Sequence, residues 1–249
     1  MKILVIGESC QDIFVYGSVN RLTPEAPAPI FCPSHKTFND GMAKNVLRNI
    51  EAIGIDCKII TNDEQIIKTR FVDEKSNYIL LRLDENDSVR PIKSNIINDL
   101  KNNLYNGISY DAIIISDYCK GFISESDIET ISQNNFNVFL DTKKILGKWC
   151  EKTDYIKINN TEYEKTKHTL HNLNIEEKLI ITRSEKGCEY KNNIYPVRKV
   201  NIKDLSGAGD TFIAALTCEW LKTKDIVKAI DFAQNCAAKV VEKKGVCTI

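Results

Sequence analysis

Hydrophobic positions divide the chain into short continuous runs and spaced stripes, and the two kinds alternate. Residues 2–7 form a continuous apolar run ending in Gly7, the pattern of a strand buried on both faces at the start of an α/β domain. Residues 14–38 are rich in β-forming types but interrupted by Pro24, Pro27, Pro29 and Pro33, which excludes helix and predicts short strands with turns. Between residues 41 and 53, Ala43, Val46, Leu47, Ile50 and Ile53 share one helical face, stopped by Gly54. Residues 57–61 predict the next strand, and residues 67–72 and 78–83 a hairpin around the polar stretch 73–77. Further strands are predicted at 112–116, 138–140, 155–158 and 179–182, then two short ones within 189–200. The last helix carries Ile226, Ile230, Ala233, Ala237 and Val240 on one face. The pattern predicts an α/β fold with a mostly parallel sheet covered by helices, as a single domain over residues 1–249. A small β lid is expected from about 13–38, with 67–84 as a further contribution. No repeat, linker or low-complexity segment suggests a second core.

The stretch Asp204-Leu205-Ser206-Gly207-Ala208-Gly209-Asp210-Thr211-Phe212 adds chemistry to this frame, because a helical run over 213–222 follows it at once. Two glycines permit a tight turn with bare amides, and a helix N-terminus favours an anion such as phosphate. Asp210 lies in that first turn. A carboxylate beside an anion hole suits a base that takes a proton from an attacking hydroxyl better than it suits a phosphate ligand. Acids also begin helices purely as dipole partners, and Gly-Ala-Gly also occurs in plain tight loops. Two other phosphate motifs are excluded: there is no Gly-x-x-x-x-Gly-Lys-Ser/Thr, and Phe212 stands where a dinucleotide fingerprint needs its third glycine. Asp12 follows Gly7 closely, beyond the carboxyl end of the first strand, where it suits sugar hydroxyls or equally a strand-to-loop turn.

Charge narrows the partners. Thirty-four basic residues balance thirty-four acidic ones, so no general attraction to nucleic acid or membrane is expected, and an anionic substrate must meet a local cluster. Lys68, Arg70, Arg82 and Arg21 are candidates, although strand arginines also snorkel or pair with neighbouring acids. No apolar run approaches the roughly 20 residues of a membrane helix, and the chain starts directly on a strand, so a cytoplasmic protein is expected. Nine scattered cysteines without a Cys-x-x-Cys pair support neither a disulfide framework nor a zinc site. His168 and His171 have helical metal-ligand spacing but polar neighbours, which favours a solvated surface.

Asp204 to Thr211 resembles the Asp-x-x-Gly-Ala-Gly-Asp-Thr signature of the ribokinase-like (PfkB) sugar kinases. The resemblance implies that Asp210 is the catalytic base and that the amides of Gly207, Ala208 and Gly209 form the anion hole. Gly41-Met42-Ala43-Lys44-Asn45 is similar to the family's Gly-Gly-x-x-Asn, which implies sugar contacts from Gly41 and Asn45; Asp12, by its position, and Arg70 and Arg82, by their charge, are expected on the substrate side as well. Met42 stands where the family has a second glycine, which bears on the size or identity of the sugar. Asn159-Asn160-Thr161-Glu162 fits the family's Asn-x-x-Glu, implying that Glu162 acts on Mg²⁺ through water; the same tetrapeptide also starts helices. Lys143, Thr182, Gly187 and Asn235 resemble nucleotide-side positions, Asp117 and Lys120 lie in similar pieces, and Asp204 is a candidate for a monovalent cation such as K⁺. Segments 7–29 and 117–121 resemble the heptose-7-phosphate kinase branch. The resemblance implies ATP and Mg²⁺ as cofactors, a sugar or sugar phosphate as substrate, and a separate nucleotidyltransferase if the pathway is that of heptose; a homodimer through the lid is expected because its β edges would otherwise be exposed. Only a few residues separate position 61 from Lys68-Thr69-Arg70, so one α/β unit of the family pattern is expected to be missing. A kinase for a different sugar and a non-catalytic sugar-binding protein are the alternatives.

Overall fold

Ile3 and Val5 join one buried apolar cluster, while Leu4 and Ile6 join another on the opposite face. That division explains the uninterrupted apolar run, because a strand covered on both sides has no polar face. The computed structural model describes residues 1–102 and 104–249. In chain order its strands begin with β1 (Lys2–Gly7), β2 (Ser9–Leu22), β3 (Pro29–Met42), β4 (Asp56–Ile60), β5 (Ile66–Asp73) and β6 (Ile79–Glu85). They continue as β7 (Ala112–Asp117), β8 (Val138–Thr142), β9 (Tyr155–Asn159), β10 (Leu179–Thr182), β11 (Cys188–Tyr190) and β12 (Asn193–Tyr195). The helices are α1 (Ala43–Ala52), α2 (Ser94–Leu100), α3 (Glu125–Asn134), α4 (Asn160–Thr166), α5 (Ala208–Thr223) and α6 (Ile226–Val241).

The main sheet has the order β12-β11-β10-β9-β8-β7-β1-β4, parallel from β10 to β4 and antiparallel at β11 and β12. The apolar faces of α1, α5 and α6 cover one side, and those of α2 and α3 the other. Local sequence fixes several helix starts. Ser124 and Asp127 form a reciprocal capping box at α3, and the Asp225 carboxylate accepts the Val227 and Lys228 amides at α6. No helix among the described residues is long and apolar enough to cross a membrane.

The lid is larger and more regular than the prolines suggest. Residues 14–38 were expected to give short strands; instead β2 and β3 are 14 residues each and pair along most of their length. Each proline sits where a missing N–H does little harm. Pro24 and Pro27 lie in the connecting turn, Pro29 opens β3, and Pro33 falls at the register shift opposite Gly17. The second sheet is four-stranded, β3-β2-β5-β6, and its first two strands run from Ser9 to Leu22 and from Pro29 to Met42. The predicted hairpin is β5 and β6. Residues 61–65 alone separate β4 from β5, too few for a crossover unit, and β4 is the edge of the main sheet. Only Glu8 lies between β1 and β2, so one continuous extended segment passes from the core into the lid. Its carboxylate, fully buried, accepts the amides of Tyr118, Lys120 and Phe122, which fixes the loop after β7 against this junction.

Candidate active site

Parallel strands direct their carboxyl ends to one edge of the sheet, and ligand groups collect there. Tyr118 follows β7, Lys143 follows β8, Asn159 and Thr182 end β9 and β10, and the N-terminus of α5 meets them. Gly207 takes a left-handed conformation (φ 82°) just before α5, and a Cβ there would lie 2.6 Å from Asn45 Nδ2, so the turn needs glycine twice over. The Ala208 amide donates to Leu205 O at 3.3 Å, whereas those of Gly207 and Gly209 meet no acceptor among the described residues. Asp204 staples this loop. Its Oδ1 accepts the Ser206 amide at 2.8 Å and its Oδ2 the Gly245 amide at 3.1 Å.

Asp210 is buried in the first turn of α5, between Asn45 Nδ2, which donates to Oδ2 at 3.0 Å, and the Tyr118 hydroxyl, which donates to Oδ1 at 2.6 Å. Burial pushes its carboxyl up to about 6, opposed by these two hydrogen bonds. The Tyr118 phenol is pushed well above its ordinary value by burial and by the neighbouring carboxylate, so it stays protonated and remains the donor. A carboxylate with a pKa near neutrality, aligned by two donors, has the character of a general base.

On the lid side of Asp210 is a cavity of about 90 Å³ whose lining includes Asp12, Met42, Lys68, Arg70 and Tyr118. Asp12 and Arg70, both buried, form an ion pair, and Gly41 packs so closely that a Cβ would lie 2.6 Å from Cys10 Sγ. Burial and the Asp12 carboxylate push the Cys10 thiol up to about 12, which keeps it neutral. Asp12, Gly41, Asn45, Arg70 and Asp210 are thus brought together. Arg82 is exposed on β6 and forks onto its own neighbour Asp84 at 2.6 and 2.7 Å, and Arg21 is exposed near the end of β2; neither lines the cavity. Met42 adopts φ 59°, ψ −132°, a backbone region that costs a side-chain-bearing residue about 1–3 kcal/mol, yet its side chain is buried.

On the opposite side Asn159 and Glu162 form a capping box: Asn159 Oδ1 accepts the Glu162 amide at 2.9 Å and Glu162 Oε2 the Asn159 amide at 2.7 Å. The free Oε1 is 3.6 Å from Lys143 Nζ, and that ammonium lies 4.4 Å from the Tyr118 ring centre. Lys143, Tyr118, Asp210 and Asn45 therefore form a line from one side of the site to the other. Thr182 leans on Ile158 O at 3.3 Å, Gly187 is left-handed (φ 88°), and Asn235 is half-buried on α6, bonded to Asp231. Asp117 and Lys120 turn away from the site. The buried Asp117 carboxylate takes Lys144 Nζ at 2.7 Å and the Thr142 hydroxyl at 2.5 Å, and Lys120 pairs with Asp87. No group of three His, Cys, Asp or Glu suited to a metal occurs among the described residues.

Sequence reasoning missed Lys157 and the role of Tyr118. Lys157 is buried within β9, 2.9 Å from Asp141 Oδ2, with Nζ 2.9 Å from where a Gly209 Cβ would stand. A lysine inside an apolar strand, Ile156-Lys157-Ile158, was its available signal.

The family described as pfkB family carbohydrate kinase matches residues 39–249. The chain belongs to that family. Among curated relatives of this pfkB kinase, the bifunctional protein HldE of Sulfurimonas denitrificans is 30% identical over 297 residues, covering 100% of this chain and 62% of that protein. HldE of Helicobacter acinonychis is 30% identical over 295 residues, covering 98% and 63%. The chain thus spans a little under two thirds of the length of these relatives, and both alignments run longer than its 249 residues. Among solved structures, ribokinase of Thermotoga maritima superposes with a TM-score of 0.71 at 17% identity, covering 98% of this chain and 94% of that one. Phosphofructokinase-2 of Escherichia coli in complex with potassium gives 0.72 at 11% identity, with 98% and 94% covered. These likenesses show a shared fold.

Proposed function

We propose that this pfkB kinase transfers the γ-phosphoryl group of MgATP to a hydroxyl of a phosphorylated sugar, heptose 7-phosphate at O1 being the first candidate. The observation that carries the reading is Asp210: a buried carboxylate raised to about 6, held by Tyr118 and Asn45, in the first turn of a helix at whose start the Gly207 and Gly209 amides meet no acceptor among the described residues. Asp210 takes the acceptor proton, and the Gly207 and Gly209 amides offset charge on the transferred group, with Ala208 completing the turn. Asp12, Gly41, Asn45 and Arg70 shape the acceptor side. Lys143, Asn159, Glu162, Thr182, Gly187 and Asn235 belong to the nucleotide side.

Magnesium fits a site with few protein donors, since this ion keeps waters and phosphate oxygens as most of its ligands. Glu162 offers one outward carboxylate oxygen for such a shell. Bound there, the ion would neutralise charge on the phosphates. A monovalent cation at Asp204 belongs to the same reading. The heptose candidate is supported by the HldE relatives and by the motif resemblance, and a nucleotidyltransferase step would then fall outside this domain.

The test is ADP release from MgATP with heptose 7-phosphate, beside ribose, fructose 6-phosphate and adenosine. Turnover with heptose 7-phosphate, lost by about 10³-fold or more in Asp210→Asn, is the expected result. The same substitution removes a buried charge, so its thermal midpoint at pH 7 should equal or exceed that of the wild type. Near wild-type turnover in Asp210→Asn would sink the assignment. Turnover with another sugar alone would favour the second reading, a kinase for a different acceptor, which the Met42 substitution supports. Sugar binding without any turnover would point to a non-catalytic protein.

A further inference from the structure

We propose that Met42 is a displaceable plug over an anion subsite at Lys68, and that the acceptor's own anionic group pushes it aside. The inference rests on the phosphorylated-acceptor reading above and deepens it.

Lys68 is 6% exposed, and no carboxylate lies within 4 Å of its ammonium among the described residues. Its hydrogen-bond partner is the Met42 thioether, Sδ at 3.1 Å, with the Tyr118 ring centre 5.3 Å away. A thioether is a weak acceptor, so this buried cation lacks the strong partner that buried ammonium groups normally have. Arg70, the other cation in the cavity, already holds Asp12. Asp84, opposite Lys68 on β6, is paired with Arg82. Lys68 is therefore the group with charge to spare, and it faces the same cavity as Asp210.

Met42 keeps a backbone conformation suited to glycine (φ 59°) at the first edge of α1, although a glycine there would be unstrained. Its side chain is buried against Cys10 and Ile66 and borders the cavity. That cavity, about 90 Å³, is well below the ~300 Å³ at which small-molecule sites commonly begin. Methionine has three side-chain torsions and moves readily. Swinging the thioether away from Lys68 does two things at once: it enlarges the acceptor space and exposes the ammonium to an oxyanion. An acceptor with a phosphate compensates for the displaced contact, whereas a neutral sugar does not. The residue thereby favours phosphorylated acceptors and rejects neutral ones of similar size.

Titration calorimetry with inorganic phosphate tests the plug independently of catalysis, in the wild type, Met42→Gly, Met42→Ala, Met42→Leu and Lys68→Gln. Met42→Gly and Met42→Ala should bind phosphate about fivefold or more tightly than the wild type, a gain of about 1 kcal/mol. Met42→Leu, which keeps the bulk, should show no gain, and adding Lys68→Gln should remove the tightening. Either shortened variant suffices if the other fails to fold. Unchanged affinity in the shortened variants, or tightening that survives Lys68→Gln, would overturn the proposal. Kinetics separate the two readings. If phosphate binding follows this pattern but no sugar phosphate is turned over, the kinase reading falls and the plug stands. If heptose 7-phosphate is turned over but its KM does not fall in Met42→Gly, the plug falls and the kinase stands.

Discussion

Asp210 shows how one buried carboxylate can be tuned by competing effects. Burial alone would favour its neutral form, and the hydrogen bonds from Tyr118 and Asn45 favour the charged one. The balance near 6 leaves the base mostly ionised at neutral pH while keeping it a competent proton acceptor. The turnover number should therefore rise with pH through about 6 and level off above 7. Tyr118→Phe removes one stabilising donor, so the midpoint should move upward and turnover near neutral pH should fall by about 10-fold or more. A pH–rate profile of both proteins checks this, and a midpoint that stays in place or moves down would contradict it. The stability sign runs the other way. A carboxyl whose pKa is higher in the folded chain than in the unfolded one favours folding while protonated, and that contribution is lost as pH rises through about 6. In the proposed reading, activity at pH 7 rests on a group that destabilises the fold there, as expected of a base held ready in a low-dielectric site.

At the scale of elements, the proposed reading gives α4 two roles in one tetrapeptide. Glu162 caps its own helix through Oε2 and faces Lys143 through Oε1. The sequence left cap and nucleotide ligand as alternatives; the geometry has room for both, one oxygen each. Substitutions can separate them. Glu162→Gln keeps an acceptor for the Asn159 amide but loses the charge, so its thermal midpoint should match the wild type while KM for MgATP rises by about 10-fold. Glu162→Ala should lose both, with a stability cost of about 0.5–2 kcal/mol. Equal destabilisation in the two variants with unchanged KM would leave only the cap. This pattern also shows what periodicity and motifs can convey. Continuous apolar runs identified β1 and β7, and the Gly-Ala-Gly-Asp turn identified the start of α5, because burial on both faces and helix capping leave local marks. The long lid strands were hidden, since four prolines within residues 14–38 suggest interruption until the pairing shows them in the turn, at the strand start and at the bulge. The partners of Tyr118, Lys157 and Lys68 were equally hidden, because each acquires its neighbour from a distant segment: Asp210, Asp141 and Met42.

At the scale of the whole molecule, the lid has an unfinished edge. β6 is exposed along its entire length, and Leu81 and Leu83, two residues apart on one face, are 59% and 46% exposed. Opposite Leu81 stands Phe71, which packs edge-on against Phe31, and Phe38 on β3 is 59% exposed. An open edge strand with apolar side chains invites pairing with another copy, and proteins ordinarily blunt such edges with charge, bulges or cover. Arg82 and Asp84 neutralise one another on the strand and so do little to repel a partner. Covering this surface with the lid of a second copy would bury it without changing the main sheet, and would hold the lids over both acceptor cavities. A two-fold symmetric pairing is the simplest closed arrangement. Sedimentation at micromolar concentration should therefore show a dimer for the wild type and a monomer for Leu81→Lys combined with Leu83→Lys. Because Asp12, Lys68 and Arg70 lie on β2 and β5 of the same lid, loss of pairing should raise KM for the acceptor more than KM for ATP. A wild type that sediments as a monomer, or a double variant that stays dimeric, would place the interface elsewhere. A monomeric double variant with both KM values intact would show that the lid closes over the acceptor without help from a partner.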